Sequence, residues 1–324
     1  MRRTLVASAP TRLDFGGGWT DVPPYPEERG GFVCNIAVAR RATVRLSPRS
    51  GHEAVAPATP DRLVAAALRR ADVHDAVVHI QSDFPVGAGL GGSSAAGVAL
   101  AAALHAWKGE SPTAQALAEW SRAVEVDELG IAGGRQDHYA AAFGGALGLT
   151  FGTATDVEPL ALSAVARASL ERRCLVAYTG ESRISSATIT AVLDAYRDRV
   201  PRVVDALGRM ARLAHDMRDA LVAGDIDALA DLVDRHWRDQ RALHPQISTA
   251  RIDAIEAEAR RAGATGLKAL GASGGGCVIA FAPDDCVDAV RQAIAPLAEM
   301  LTWQMDERGA VVAAHVDEGG GATG

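Results

Sequence analysis

Lysine, cysteine and aromatic residues are scarce in this chain of 324 residues. Lys108 and Lys268 are the only lysines among 33 basic residues, and aromatic residues make up 5% of the chain. The four cysteines are scattered, with no CxxC pair and no histidine cluster beside them. This pattern indicates neither a zinc site nor a disulfide framework, so we expect reduced cysteines.

Long apolar runs and an excess of positive charge are also missing. The most apolar run, residues 95–106, is alanine-rich and far shorter than the roughly 20 residues that a bilayer span needs. The N-terminal segment reaches Pro10, Arg12 and Asp14 before any apolar stretch attains signal-peptide length. The net charge of -7 is opposite in sign to that of a non-specific nucleic-acid binder. We therefore expect a cytoplasmic protein that binds neither membranes nor nucleic acid; its oligomeric state stays open.

The periodicity of the chain changes along its length. Short β-branched runs at 32–38, 42–46 and 143–151 predict strands, whereas residues 185–262 have an almost wholly helical pattern. A helix over 285–300 and a last strand over 311–315 follow. The sequence predicts an α+β fold with a strand-rich domain at 1–170 and a helix-rich domain at 171–324.

A glycine-rich segment, residues 85–96, links a predicted strand to a predicted helix. Glycines let backbone amides approach an anion, and the helix start adds partial positive charge, so the segment is suited to phosphate. The segment has no lysine, which excludes a Walker A loop. A Rossmann unit requires a strand after the helix, and the sequence predicts no strand there, which disfavours a Rossmann unit. A glycine turn that merely packs tightly is the remaining alternative. The predicted nucleotide-binding residues are Pro85, Gly87, Ala88, Gly89, Leu90, Gly91, Gly92, Ser93 and Ser94.

Three segments together resemble the motifs of the GHMP kinases, which include galactokinase and mevalonate kinase. Residues 9–21 resemble the first motif, residues 85–96 the second and residues 268–277 the third, in the family's order. Ser273 stands where the family usually has glycine. The resemblance implies a two-domain fold with a ferredoxin-like C-terminal domain, and a kinase that uses ATP and Mg²⁺.

The resemblance also implies roles for individual residues. Asp137 matches the catalytic aspartate, Arg12 the cationic residue beside it, and Glu125 the magnesium carboxylate. Ser94 is the expected serine ligand of magnesium, with Ser93 as the alternative. The expected substrate contacts are Trp19, Asp21, Tyr25, Gln136, Arg183, Gly274 and Gly275.

Two branches of the family compete for the substrate. Residues 133–145 resemble kinases of D-glycero-D-manno-heptose 7-phosphate, whereas residues 17–25 resemble L-fucose kinases. We expect phosphorylation of the anomeric hydroxyl of the heptose phosphate, giving the 1,7-bisphosphate, with Arg183 or Arg135 in a second anion site. An ordinary helix cap is the alternative role for Arg183. L-fucose or another sugar is the alternative substrate. A non-catalytic sugar or nucleotide sensor on the same fold and an NAD-dependent oxidoreductase are the rival functions.

Overall fold

The computed structural model describes residues 3–49, 61–131, 133–181 and 186–316. Within these ranges lie ten strands: β1 (Arg3–Gly16), β2 (Gly31–Pro48), β3 (Ala76–Ser82), β4 (Ala146–Phe151), β5 (Thr155–Leu160), β6 (Cys174–Tyr178), β7 (Gly266–Ala269), β8 (Cys277–Phe281), β9 (Glu299–Leu301) and β10 (Val311–Val316). The α-helices are α1 (Tyr25–Arg29), α2 (Arg62–Ala71), α3 (Gly92–Trp107), α4 (Ala114–Ala123), α5 (Gln136–Phe143), α6 (Ala164–Arg173), α7 (Ser186–Arg197), α8 (Pro201–Ala223), α9 (Ile226–Leu243), α10 (Ala250–Arg261) and α11 (Val287–Ile294).

The first domain is built on a six-stranded antiparallel sheet in the order β10-β1-β2-β4-β5, with β3 also paired to β2. β1 contributes to two cores because its register shifts between Pro10 and Thr11, and this irregularity turns the odd-numbered side chains that follow it to the other face of the sheet. Leu5, Ala7 and Ala9 pack with α2 to α5 on one face, whereas Leu13 and Phe15 pack towards α8 and α9 on the other. The sheet therefore lies between the helices of the first domain and those of the second.

The second domain carries a four-stranded antiparallel sheet in the order β7-β8-β6-β9. Numbered within the domain, this order is that of a ferredoxin-like fold, and the two-domain α+β architecture is confirmed. The boundary near residue 170 stays a prediction. The last strand, β10, pairs with β1, so the chain returns to the first sheet at its end.

Three expectations about secondary structure were wrong in detail. The segments 32–38 and 42–46 form one strand, β2, whose first half pairs with β4 and whose second half pairs with β3. β4 begins at Ala146, because Phe143 still ends α5. The helix predicted over 285–300 ends at Ile294, and the chain then enters β9. In each case the bounds of the strand depend on pairing with a strand that is far away in sequence, and local periodicity does not reveal that partner.

No helix in the described ranges is both long enough and apolar enough to cross a bilayer. The cytoplasmic location and the absence of nucleic-acid and membrane partners remain predictions.

Candidate active site

The glycine-rich segment forms a loop that ends at the first turn of α3. Gly87, Gly89 and Gly91 all have positive φ, between +70° and +73°, which side chains rarely adopt. Gly91 is the N-cap of α3, a helix of 16 residues. The helix start thus points its free amides into the loop, an arrangement that favours an anion.

The third glycine motif supports this loop from the second domain. The Cys277 amide donates to the Ala88 carbonyl at 2.7 Å. A methyl group added to Gly89 would lie 2.9 Å from the carbonyl oxygen of Leu270, and one added to Gly276 would lie 2.9 Å from that of Ala88. The two backbones are in direct contact, and glycine is required at both positions.

Arg12 and Asp137 form an ion pair beside the loop. Nε and a terminal nitrogen of Arg12 each lie 2.8 Å from Oδ1 of Asp137, and the guanidinium also donates to the Gly89 carbonyl at 2.6 Å. Arg12 is 3% exposed, whereas the Asp137 side chain is 26% exposed. A methyl group on Gly91 would lie 3.0 Å from Cγ and Oδ2 of Asp137. One carboxylate is therefore fixed by Arg12 and adjoins the glycine-rich loop.

A second group of side chains lies at the start of α3. Ser93 Oγ donates to Oε1 of Glu125 at 3.1 Å, and Ser94 Oγ donates to Oε2 at 3.4 Å. Glu125 lies in a wide helical turn, Val124–Glu128, that follows α4. Such turns project a side chain away from the regular helical face.

His138 completes this second group, although sequence reasoning gave it no role. Its Nε2 lies 2.9 Å from Oε2 of Glu125, and its Nδ1 lies 3.0 Å from Oγ of Ser121. Burial alone would raise the pKa of Glu125, but hydrogen bonds from His138 and the two serines outweigh it and lower that pKa below its ordinary value. The position of His138 directly after Asp137 in the sequence was the signal that could have identified it.

A cavity of about 160 Å³ opens beside Asp137. The first domain and the second domain both line it, through Arg12, Asp14, Gly18, Trp19, Asp21, Val22, Gly133, Gly134, Gln136, Asp137, Ile189, Gly271 and Ala272. Its hydrogen-bonding walls suit a small polar molecule.

The loop after β1 brings Trp19 and Asp21 to this cavity. Trp19 has φ +79° and is 7% exposed. The turn that carries it is held by His236, whose Nε2 accepts from the Gly17 amide at 2.9 Å. Burial lowers the pKa of His236 well below its ordinary value, as does the nearby Lys268, so this imidazole is a neutral acceptor.

Asp21 fixes the start of α5. Its Oδ2 accepts hydrogen bonds from the amides of Arg135 at 2.8 Å and Gln136 at 3.0 Å. Burial raises the pKa of Asp21 to about 6, the Gln136 amide opposes that rise, and the carboxylates of Asp137 and Asp14 add to it. Asp137 and Asp14 are therefore close enough to disfavour the ionised form of Asp21.

Not every predicted substrate contact reaches the cavity. Tyr25 is buried against Tyr196, with ring centroids 5.4 Å apart. Gly274 donates its amide to the Ile247 carbonyl, and Gly275 packs on the backbone of Glu181. Gly271 and Ala272 of the same loop line the cavity instead. Arg183 lies outside the described residues.

Ser273, the departure in the third motif, has the left-handed backbone that glycine usually supplies. Its φ is +67°, and its Oγ accepts from Nε2 of Gln240 at 3.0 Å. The loop thus retains a glycine-like turn with a serine in it, at the cost of some backbone strain.

The glycine loop, the carboxylate beside it and the adjoining cavity define a small-molecule phosphotransferase. Two family models match the chain: "GHMP kinases N terminal domain" over residues 60–145 and "GHMP kinases C terminal" over residues 217–297. Together they span just over half of it. The chain belongs to the GHMP kinase family, and ATP as the phosphoryl donor is implied by that membership.

Individual relatives agree with this assignment. The chain is 25% identical over 305 residues to the D-glycero-alpha-D-manno-heptose 7-phosphate kinase of Campylobacter jejuni, covering 86% of this chain and 89% of that protein. It is 27% identical over 323 residues to a bifunctional fucokinase/GDP-fucose pyrophosphorylase of Arabidopsis thaliana, covering 87% of this chain but only 30% of that longer protein. A crystal structure of a D-glycero-D-manno-heptose 1-phosphate kinase from Bacteriodes thetaiotaomicron superposes with a TM-score of 0.76 at 22% identity, covering 95% of this chain and 98% of that one. This last likeness shows the fold alone.

Proposed function

We propose that this kinase phosphorylates the anomeric hydroxyl of a sugar with ATP. One observation carries the proposal: Asp137 lines the cavity and also contacts the phosphate loop at Gly91. A sugar in the cavity would present its hydroxyl to the carboxylate while the loop holds the phosphates. Alignment of the two reactants, together with electrostatic stabilisation, provides most of the catalysis in phosphoryl transfer.

The nucleotide phosphates bind, in this proposal, to the amides of residues 87–92 and the start of α3. The oxygens of Ser94 and Glu125 suit Mg²⁺, which prefers hard oxygen ligands and takes few of them from the protein. Ser93 offers the same chemistry at a slightly shorter distance from Glu125. Bound there, the ion would neutralise charge on the transferring phosphoryl group.

Asp137 acts as the general base. Arg12 binds its Oδ1, so Oδ2 is the oxygen that takes the proton from the sugar hydroxyl. The Arg12 guanidinium also offsets negative charge as the phosphoryl group transfers. Trp19, Asp21 and Gln136 are the proposed sugar contacts in the cavity.

D-glycero-D-manno-heptose 7-phosphate is our first candidate substrate. The relative from Campylobacter jejuni that bears this name shares most of its length with this chain. Such a substrate needs a second anion site, and Arg183 is the candidate from the sequence. Arg135 is already engaged by Glu27 at 3.0 Å and by the Gly152 carbonyl at 3.2 Å.

L-fucose is the second candidate, and the charge of the cavity favours it. Three carboxylates line the described part of the cavity, from Asp14, Asp21 and Asp137. Arg12 is paired with Asp137 and Lys268 with Asp14, so neither cation is free to bind a substrate phosphate. A neutral sugar avoids the repulsion that a substrate phosphate would meet from these groups.

ADP release from Mg-ATP with a panel of sugars tests the proposal. The panel contains D-glycero-D-manno-heptose 7-phosphate, the unphosphorylated heptose, L-fucose and D-galactose, with Asp137→Asn as the inactive control. Preference for the phosphorylated heptose supports the first candidate, and preference for L-fucose supports the second. If ATP binds but no sugar stimulates ADP release, the kinase proposal for these sugars is rejected and the sensor reading gains support.

A further inference from the structure

A buried ion pair lies under the cavity and takes no part in the mechanism described above. Lys268 Nζ lies 3.1 Å from Oδ2 of Asp14, and the two side chains are 0% and 2% exposed. Asp14 comes from β1 and Lys268 from β7, so the pair joins the two domains. Burial lowers the pKa of Lys268, and the Asp14 carboxylate opposes that shift.

Asp14 has one oxygen that the fold leaves unused. Oδ2 is taken by Lys268, whereas the buried Oδ1 has no hydrogen-bond partner among the described residues. A buried acceptor without a partner is unfavourable, so such an atom calls for a ligand or water to supply a hydrogen. Asp14 lines the cavity, which is the place from which that hydrogen can come.

Trp19, another residue of the cavity lining, carries a second polar atom without a partner among the described residues. Nε1 of Trp19 is buried and has no acceptor among the described residues. Trp19 is held there in a left-handed backbone conformation that a tryptophan adopts only under constraint from its surroundings. One free acceptor and one free donor in the lining match a diol, in which one hydroxyl donates and its neighbour accepts.

We propose that Asp14 is a specificity-determining residue whose Oδ1 accepts a hydrogen bond from a non-reacting hydroxyl of the sugar, while Trp19 Nε1 donates to a neighbouring sugar oxygen. Lys268 is the positioning residue that holds Oδ2 and so directs Oδ1 to the substrate. This inference rests on the proposed sugar kinase activity, and it applies to either candidate sugar.

The charge and geometry of the pair make Asp14→Asn an informative change. Lys268 only donates, so it will bind the amide oxygen of the new side chain and turn the amide NH₂ towards the cavity. The variant thus presents a donor where the wild type presents an acceptor. Trp19→Phe is the variant for the second contact, because it keeps an aromatic ring and removes the N–H together with the rest of the smaller indole ring.

The experiment compares kcat/KM for the preferred sugar with that for each of its monodeoxy and deoxyfluoro analogues. A fluorine can accept weakly but cannot donate. At one position of the sugar, we expect both the deoxy and the deoxyfluoro analogue to lower the kcat/KM of the wild type at least about tenfold, as for a buried polar contact. In Asp14→Asn, the loss of kcat/KM caused by fluorine at that position becomes smaller, because the new amide can donate to fluorine. The losses of kcat/KM at the other positions remain as in the wild type. Trp19→Phe loses discrimination at a neighbouring position.

Two other results would overturn the proposal. If Asp14→Asn lowers kcat/KM equally for all analogues and leaves every discrimination ratio unchanged, its role is structural. If Asp14→Asn does not fold, the double variant Asp14→Asn/Lys268→Met replaces it, because this variant also removes the buried charge that Asp14→Asn leaves unpaired. We expect the double variant to lose discrimination against the analogue altered at that one position. If its ratio of kcat/KM values for the two sugars equals that of the wild type, the proposal is rejected as well. If the wild type turns over none of the sugars, the proposed function is rejected instead. Calorimetry of sugar binding with the same analogues then tests the role of Asp14 independently of turnover.

Discussion

Two nitrogens of Arg12 lie 2.8 Å from one oxygen of Asp137, and this ion pair joins β1 to the first turn of α5. The pair leaves the other carboxylate oxygen next to Gly91. The proposed base is therefore oriented by a cation on one side and by the glycine-rich loop on the other. Each of these contacts can be removed separately.

Asp137→Asn should lower kcat at least about a hundredfold and leave ATP affinity nearly unchanged. The Arg12 nitrogens will bind the amide oxygen, so the amide NH₂ replaces the oxygen that would accept the proton. Steady-state kinetics and ATP titration measure the two quantities. Asp127→Asn, an exposed change in the turn that holds Glu125, is the control and should be close to wild type. Near-normal turnover of Asp137→Asn would remove this residue from the role of base.

Ser94→Ala should raise the Mg²⁺ concentration needed for half-maximal activity several-fold, because one oxygen near Glu125 is lost. Ser93→Ala is the matched variant, since the two hydroxyls bind different oxygens of the same carboxylate. Activity measured across a magnesium titration distinguishes them. A larger effect of Ser93→Ala would exchange the two roles, and unchanged titrations of both would place the ligand elsewhere.

Gly91→Ala should reduce kcat at least about tenfold through displacement of Asp137, since the added methyl would lie 3.0 Å from its carboxylate. Gly109→Ala is a control of the same backbone class: φ is +78° there, but no atom lies within 4 Å of the added methyl. Both variants should lose about 1–2 kcal/mol of stability from left-handed strain. Equal turnover of the two variants would show that the Gly91 contact is unimportant.

Asp21 should make the protein less stable as the pH rises through about 6. Burial raises the pKa of this carboxyl to about 6, so between its ordinary pKa and that value the folded state binds more protons than the unfolded state. The stabilising contribution of Asp21 is complete below its ordinary pKa. It is lost as the pH rises through the raised pKa of the folded state, about 6.

Urea unfolding of the wild type and of Asp21→Asn measures this contribution. The variant keeps an oxygen for the amides of Arg135 and Gln136 but cannot ionise. We expect the free energy of unfolding of the wild type, relative to that of the variant, to fall by about 2–3 kcal/mol from about pH 4 to about pH 8. A difference that is constant with pH would contradict the raised pKa.

Much of the site could be predicted from local sequence. The glycine loop and the first turn of α3 depend on residues that are adjacent in the chain, because positive φ and free helix amides are local properties. Arg12 and Asp14 are two residues apart on β1, so both could have been placed on one face of the strand. Arg12 was predicted as a site residue and Asp14 was not, although this signal was present in the sequence.

The remaining features depend on contacts between distant segments. Arg12 meets Asp137 across 125 positions, and Asp14 meets Lys268 across 254. The role of His138, the single long strand β2 and the raised pKa of Asp21 likewise arise from packing partners that local periodicity does not specify. The sequence by itself determined the family and the position of the glycine-rich loop, and it predicted the candidate base, since these are carried by short motifs. Only the tertiary structure decided which side chains share the cavity and which polar atoms stay free for a substrate, because burial and hydrogen-bond partners exist only after the two domains pack together.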